Sequence, residues 1–457
     1  MDNNYLLAPC SGDILANRIM YPVMQFPWRK NQPYDQTKWM LAEESPLATL
    51  WATGRNGILL LSARGINMLS QFVLFLVISR QMGQEALGVF TFVVSTTILG
   101  TYISNLGLDT LITREASHSP ADGETLLSSL LSLKLISSVL AYSCINLSFI
   151  FLPLDPVIQR QLLIYSVIIF LNSISSLLWF YGDAFDRFLL HGVLWAANHL
   201  LRTIAGITVI FFGGFLDRVL MGLVAAEAVS LLLSWFITNR YIGKVRIHAR
   251  LEVWENSLQK AWPIALGGLL GAISFRIDVS ILQILRGSLE VGLYSAAFKI
   301  VEVMHVLPSS LSLSIFPRFS RVFRGAGVIQ TAQMARRLLL LTLTLGALCS
   351  MALFVAAPWV IRLFYGPDFD GSISVLQILV LKIFFMFLAL PLSYTLIAVG
   401  DERNMTGILA LSALSSITIN LLLVPLYGRH GSAMATVVSE VLLFLGYTYR
   451  LWRLERK

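Results

Sequence analysis

Hydrophobic residues in this chain fall into long blocks separated by short polar links. From about residue 57 onward, roughly twelve such blocks each hold about 20 or more mostly apolar residues. A helix of about 20 apolar residues is long enough to cross the hydrocarbon core of a bilayer. The pattern predicts spans near residues 57–79, 86–108, 126–152, 161–182, 191–213, 216–238, 261–285, 291–316, 335–364, 371–400, 405–427 and 430–450.

The composition supports a membrane protein over a soluble one. Of 457 residues, 56% are hydrophobic and only 13% are charged, whereas a typical soluble domain has about 25% charged residues. Lipid, unlike water, is a suitable solvent for so apolar a surface. The fold class that follows is an all-α polytopic membrane protein. The three cysteines show no CxxC spacing, so neither a disulfide framework nor a zinc site is predicted.

The chain contains an internal repeat. Residues 83–90 (GQEALGVF) and 287–294 (GSLEVGLY) share glycines five residues apart, followed by an aliphatic and an aromatic residue, and each half ends with a glutamate, Glu227 or Glu440, before apolar residues. We therefore expect two pseudo-symmetric six-helix lobes around a central cavity, related by an axis along the membrane normal. The predicted divisions are an N-terminal cytoplasmic extension (1–50), an N-lobe (51–240), a basic interlobe linker (241–260) and a C-lobe (261–457).

Lysine and arginine in the short links predict the orientation. One set of links and the C-terminal tail carry most of the basic residues: Arg240, Lys244, Arg246, Arg250, Lys260, Arg318, Arg321, Arg324, Arg336, Arg337, Arg403, Arg450, Arg453, Arg456 and Lys457. Because basic loops stay in the cytoplasm, this side is predicted to be cytoplasmic. With an even number of spans, both termini lie inside. The net charge of +8 is thus explained by membrane anchoring, and nucleic-acid binding is not expected.

Charged residues inside spans are the candidates for chemistry, because a charge at mid-bilayer costs about 2.5–3.5 kcal/mol on insertion scales. Arg276 lies about 15 residues into its span, about 22 Å along the helix axis. Its guanidinium can bind a phosphate with two hydrogen bonds. We interpret it as a substrate-binding residue, and the alternative is a structural ion pair with Glu302 or with an acid on another helix.

Other charged residues leave two interpretations open. Arg64 either reaches the cytoplasmic interface or guards the cytoplasmic mouth of a cavity. Arg202, with His199 three residues before it, either contacts an anion or packs helices through backbone carbonyls. Lys299 and Glu302 either neutralise each other or leave Lys299 facing the cavity, with Glu302 or His305 available for protonation.

Four more charged residues favour structural roles. Glu227 and Glu440 occupy matching places in the repeat, which favours a shared packing role such as pairing with a cation on a neighbouring helix. Lys134 and Lys382 lie within about ten residues of span ends, so we expect both to extend toward the membrane interface.

Enzyme motifs are missing from the sequence. No P-loop pattern GxxxxGK[ST] occurs, so ATP hydrolysis by this chain is not expected, and neither HExxH nor GxSxG is present. No cofactor is predicted.

Several short motifs resemble those of the oligosaccharide flippase (Wzx-like) family of the multidrug/oligosaccharidyl-lipid/polysaccharide exporter superfamily. They are residues 57–61 and 80–90, residues 106–109 with Arg114, residues 275–278, residues 291–300, residues 316–320 and residues 363–366. Their order and spacing cover about residues 57–450.

The resemblance implies a flippase that moves undecaprenyl-pyrophosphate-linked oligosaccharide across the bacterial inner membrane for surface polysaccharide such as O-antigen. The pyrophosphate and sugars of this cargo match the excess of cations over anions inside the spans, and the candidates for binding them are Arg276, Arg64, Arg202 and Lys299. Coupling-ion candidates are Glu302, Asp278 and His305. The expected partners are the lipid-linked oligosaccharide and membrane lipids, with a polysaccharide polymerase as a further one. The alternatives are a cation-coupled multidrug exporter of the same superfamily and a membrane polysaccharide polymerase or ligase.

Overall fold

The computed structural model describes residues 46–150, 154–185 and 187–456, with side chains from residue 65 onward except Ile150. This part of the chain is helical, and it contains no strand. The predicted extension (1–50) lies almost entirely outside the described residues. We number the helices α1 Pro46–Asn105, α2 Leu108–His118, α3 Gly123–Ile150, α4 Pro156–Ser166, α5 Ile168–Asp183, α6 Phe188–Phe211, α7 Leu216–Tyr241, α8 Leu251–Arg286, α9 Ser288–Met304, α10 Val306–Tyr365, α11 Gly371–Ala398, α12 Glu402–Tyr427 and α13 Arg429–Glu455.

Most of these helices have the length and composition of membrane spans. Ten helical segments of the described chain are long and apolar enough to cross a bilayer. Two of them are interrupted by glycines with positive φ, Gly83 (φ 84°) in α1 and Gly327 (φ 81°) in α10. Such backbone is accessible to glycine but strained for other residues, so each glycine divides its helix. The all-α fold matches the prediction, while the exact number of twelve spans stays a prediction.

The helices form two lobes. The helices from α2 through α7 pack against one another and form one group. The helices from α8 through α13 form a second group, and α8 also packs against α2 and α3. The sequence predicts a link between the eighth and ninth spans. In the structure this stretch is part of α10, and the helix is broken there at Gly327. Helix α8 begins at Leu251, inside the range predicted as linker, so residues 242–250 alone are non-helical there.

The two copies of the repeat lie against each other. Gly287, at the junction of α8 and α9, has φ 85° and ψ 178°, which matches Gly83 with φ 84° and ψ −175°. A Cβ built on Gly88 would overlap the carbonyl of Ser288, and a Cβ built on Gly292 would overlap the carbonyl of Gln84. Helices α1 and α9 therefore cross at backbone contact, and each repeat supplies one glycine. We call this contact the glycine crossing.

Polar contacts surround the glycine crossing. Arg80 donates hydrogen bonds to the carbonyls of Leu363 and Phe364 at the end of α10 (2.7 Å for Phe364), and Gln84 donates to the carbonyl of Asp368. The carbonyls of Leu363 and Phe364 are left without helical partners where α10 ends, and Asp368 lies in the short 3-10 turn that follows. The two lobes are thus joined at this end of the molecule by backbone packing and by hydrogen bonds to helix-terminal carbonyls.

The non-helical linker residues are held by the N-lobe. The backbone N–H of His248 donates to the carbonyl of Ser128 (3.3 Å), and the indole N–H of Trp254 donates to the carbonyl of Ser129 (2.9 Å). Lys260 and Glu115 form an ion pair at 3.0 Å. The linker and the start of α8 are therefore docked on α2 and α3.

Candidate functional site

A cavity of about 730 Å³ lies between the two lobes. Helices α1, α2, α4, α5, α6 and α7 form one wall of it (the N-wall), and α8 and α9 form the other (the C-wall). The N-wall is rich in amides and hydroxyls, and the charged residues among the lining are Asp109, Arg202, Arg276, Lys299 and Glu302.

The charges of the C-wall form one cluster. Arg276 on α8 and Lys299 on α9 both bind the carboxylate of Glu302, each through a different oxygen. The Lys299 Nζ lies 2.7 Å from Glu302 Oε2. Two cations therefore share one carboxylate, which leaves an excess positive charge on this wall. Arg276 faces the cavity and is paired with Glu302, so the ion pair is observed, and substrate binding by Arg276 stays a prediction.

Aromatic rings lie beside both cations of the C-wall. The Arg276 guanidinium carbon is 5.1 Å from the centroid of the Phe275 ring, and Lys299 Nζ is 5.6 Å from that of Phe75. Cations within about 6 Å of a ring centroid are attracted to its face. Phe75 belongs to α1, so the Lys299 contact joins the two lobes.

Among the lining residues whose side chains the structure describes, the N-wall carries one cation, Arg202 on α6. It donates to the hydroxyl of Tyr165 and lies 3.6 Å from the carboxylate of Glu227. Glu227 is fully buried and also accepts from Asn172 (3.2 Å) and Asn198 (2.9 Å). A carboxylate with this many donors is fixed in position, and it orients Arg202 at the cavity surface.

The expectation for Lys134 was wrong. Its side chain is fully buried and bonds Asp109 at 2.5 Å, with further hydrogen bonds to the Ser173 carbonyl and the Ser176 hydroxyl, both at 3.0 Å. The lysine extends sideways to a partner on α2 instead of toward the interface. Sequence reasoning noted Asp109 within a motif but gave it no role, because the direction of a side chain around its helix depends on neighbouring helices.

The C-lobe interior holds a second group of charges. Lys382 is also buried, and its ammonium lies 3.9 Å from Glu440, so the expectation that it extends to the interface was wrong as well. Glu440 thus pairs with a cation on a neighbouring helix, as Glu227 does in the N-lobe. Asp278 accepts from the Tyr294 hydroxyl and lies 3.4 Å from the Thr436 hydroxyl.

The predicted site residues are thereby only partly brought together. Arg276, Lys299 and Glu302 form the C-wall cluster, and Arg202 lines the opposite wall. Asp278 is buried within the C-lobe, and His305 lies at the junction of α9 and α10. The side chain of Arg64 lies outside the described residues. Sequence reasoning missed Asp109 and Tyr165, and it also missed His191, which lines the cavity and bonds Asp183 at 2.6 Å.

Two helical lobes around a polar, charged cavity are the architecture of a membrane transporter, and solved transporters share this fold. The "lipid II flippase MurJ, inward closed conformation" superposes with a TM-score of 0.72 at 15% identity, covering 86% of this chain and 87% of that one. An inward-facing multidrug resistance MATE family transporter of the MOP superfamily superposes with a TM-score of 0.67 at 15% identity, covering 88% and 99%. The chain shares the fold of these transporters.

The family follows from sequence. The model of the polysaccharide biosynthesis protein family matches residues 53–323, more than half of the chain, and the MatE model matches residues 263–422. The chain belongs to the polysaccharide biosynthesis protein family.

Relatives with descriptive names agree with this assignment. The chain is 21% identical over 392 residues to the capsular polysaccharide biosynthesis protein CapF of Staphylococcus aureus, covering 84% of this chain and 95% of the relative. It is 24% identical over 408 residues to a putative O-antigen transporter of Shigella dysenteriae, covering 86% and 98%. The resemblance predicted from the motifs is confirmed.

Proposed function

We propose that this protein is a flippase that moves undecaprenyl-pyrophosphate-linked oligosaccharide from the inner to the outer leaflet of the bacterial inner membrane. The two lobes rock against each other, so that the cavity opens to one side at a time. The basic links face the cytoplasm in this proposal, with both termini inside. The names of the relatives, which refer to capsule and O-antigen, support a substrate destined for surface polysaccharide.

One observation carries the substrate proposal: the cavity has an excess of cations on its C-wall and many neutral polar groups on its N-wall. Arg276 and Lys299 can bind diphosphate oxygens through charge-assisted hydrogen bonds, and Arg202 offers a third cation. Amides and hydroxyls suit the hydroxyl groups of sugars. The lipid tail remains in the bilayer in this proposal.

Coupling to an ion gradient is a further part of the proposal, with Glu302, Asp278 and His305 as candidates. Glu302 faces the cavity, whereas Asp278 is buried. Within the described residues no cation lies at ion-pair distance from Asp278, which distinguishes it from the other span carboxylates. A polysaccharide polymerase partner stays a prediction.

The test is deletion of the gene in its host, complemented by wild type, Arg276→Ala or Arg276→Lys. The readouts are surface polysaccharide and the leaflet location of the lipid-linked repeat unit. We expect the deletion to trap the repeat unit in the inner leaflet and Arg276→Ala to fail at normal protein abundance. Arg276→Lys keeps the charge but loses two-point binding, so we expect partial complementation.

The MatE match makes a multidrug exporter the second candidate. A cavity with an excess of cations disfavours cationic drugs, which is why the flippase is preferred. Intact polysaccharide in the deletion strain, together with increased drug sensitivity, would replace the flippase by the exporter. Full complementation by Arg276→Ala would leave the flippase standing and remove Arg276 from the site.

A further inference from the structure

Three carboxylates at or beside the cavity balance cations, and they differ in how firmly they are held. Asp109 pairs with Lys134, whose side chain is 0% exposed, and Glu227, also 0% exposed, is fixed by two asparagines and Arg202. In the C-wall cluster all three members have surface open to the cavity: 18% for Arg276, 14% for Lys299 and 12% for Glu302. A ligand in the cavity can therefore reach both cations and their shared carboxylate.

Glu302 presents its oxygens in the way an anionic ligand would. Oε1 accepts from Arg276 and Oε2 accepts from Lys299. The two phosphates of a lipid diphosphate also offer neighbouring anionic oxygens, one negative charge on each phosphate, and both cations are suited to them. A diphosphate and the Glu302 carboxylate would bind the same two nitrogen groups.

We infer that Glu302 is a resident counter-ion that the anionic group of the substrate must displace from Arg276 and Lys299. This inference rests on the proposed function and specifies how its headgroup site works. In the empty transporter, two unpaired cations within the membrane would be costly, and Glu302 offsets that cost. When substrate binds, the diphosphate replaces the Glu302 carboxylate at Arg276 and Lys299. When substrate is released, Glu302 binds the two cations again and displaces the diphosphate.

The surroundings permit this exchange. The rings of Phe275 and Phe75 lie beside Arg276 and Lys299 and can hold both cations while the carboxylate is displaced. Glu302 is thus a positioning residue that sets headgroup affinity and release.

The test measures binding of inorganic pyrophosphate to the purified full-length protein by titration calorimetry at constant ionic strength. The variants are Glu302→Gln, Glu302→Asp and Arg276→Ala. The matched control is Glu440→Gln, since Glu440 is also a carboxylate paired with a lysine in the same lobe but does not line the cavity. Thermal unfolding checks that each variant is folded.

We expect Glu302→Gln to lower the Kd for pyrophosphate about tenfold, which corresponds to about 1.4 kcal/mol, because the competing charge is gone. Glu302→Asp keeps the charge on a shorter side chain that does not reach both cations, so it should lower the Kd by less than Glu302→Gln. Glu440→Gln should bind like wild type. In cells, Glu302→Gln should fail to complement although it binds more tightly, because release is slowed. If Glu302 had only a structural role, its substitution would not give tighter pyrophosphate binding together with loss of transport.

An unchanged or higher Kd in folded Glu302→Gln overturns the counter-ion inference, as does the absence of pyrophosphate binding in both wild type and Glu302→Gln. Neither result decides the proposed function, which the leaflet assay on the deletion strain reports separately. If Glu302→Gln is unfolded, Glu302→Asp gives the decision. A Kd for pyrophosphate that is no lower than that of wild type in folded Glu302→Asp then overturns the inference.

Discussion

This chain contains both buried and exposed ion pairs, and their removal should lower the free energy of unfolding by different amounts. The Asp109–Lys134 pair lies among α2, α3 and α5, where the Lys134 side chain is fully buried and further hydrogen bonds complete the coordination of its ammonium. The Arg362–Asp370 pair has 59% and 44% of its side chains exposed. Removing one member of a buried pair leaves an uncompensated charge, whereas an exposed pair contributes little.

Lys134→Met should therefore destabilise the protein by about 3–5 kcal/mol, measured by unfolding in detergent. The double variant Asp109→Asn/Lys134→Met should recover most of this loss, because no charge is then left unpaired. Arg362→Ala is the control and should leave the unfolding midpoint unchanged within error. Equal effects of Lys134→Met and Arg362→Ala would contradict a structural role of the buried pair.

Sequence alone identified Arg276 and Lys299 as candidates and named Glu302 as an alternative partner of each. The depth of Arg276 in its span follows from its position along the chain, so its choice as a candidate needed no structure. The burial of Lys134 and Lys382 was not predictable, because the side-chain length that permits snorkelling equally permits a sideways ion pair. Asp109 follows an apolar run in the sequence, and its use as the counter-ion of Lys134 depends on how α2 packs on α3.

At the scale of helices, the glycine crossing shows how a sequence repeat becomes a contact. The matching glycines were predictable as a repeat, yet similarity between two segments does not imply that they touch. The pseudo-symmetric arrangement of the lobes brings them together, and only residues without a Cβ permit the backbones of α1 and α9 to approach this closely. Further along α1, the hydroxyl oxygen of Thr96 lies 3.3 Å from that of Ser280 on α8, and this contact also joins the two lobes.

Gly88→Ala should force α1 and α9 apart, because the added methyl group overlaps the Ser288 carbonyl. Overpacking of this kind costs about 1–3 kcal/mol, and we expect a lower thermal midpoint. A Thr96→Cys probe in a background without Cys10, Cys144 and Cys349 should react faster with a water-soluble maleimide when Gly88→Ala is present. The measurement is the labelling rate in membranes.

The matched control for this substitution is Gly271→Ala. Gly271 is helical, and a Cβ there has nothing within 4 Å, so alanine should be neutral or slightly stabilising through its helix propensity. Unchanged stability and labelling in Gly88→Ala would show that α1 and α9 are not held at backbone contact in the membrane.

For the whole molecule, the distribution of basic residues and the number of spans give an orientation that can be measured. Basic residues concentrate in the links on the side of the linker and in the C-terminal tail, and such residues resist translocation. A fluorescent-protein fusion after Glu455 should fluoresce. An alkaline phosphatase fusion after Gly214, in the turn between α6 and α7, should be active, and a fusion after Tyr241 should be inactive.

Activity of phosphatase fused after Glu455 would mean an odd number of spans or an inverted orientation. The fusion after Tyr241 separates these two outcomes, because inversion alone would make it active as well. The proposed cytoplasmic position of both termini would have to be given up in either case.

The unequal chemistry of the two cavity walls has a consequence for how such a transporter diversifies. Under the proposed function, the C-wall binds the part of the cargo that every polyprenyl diphosphate carrier shares. The N-wall, with Asn67, Gln71, Asn105 and Asn172 among its lining residues, meets the sugars, which vary. Exchanges among these neutral side chains alter glycan preference without disturbing charge balance in the membrane. Selectivity can then drift from one glycan to another while the anchor point for the cargo stays constant.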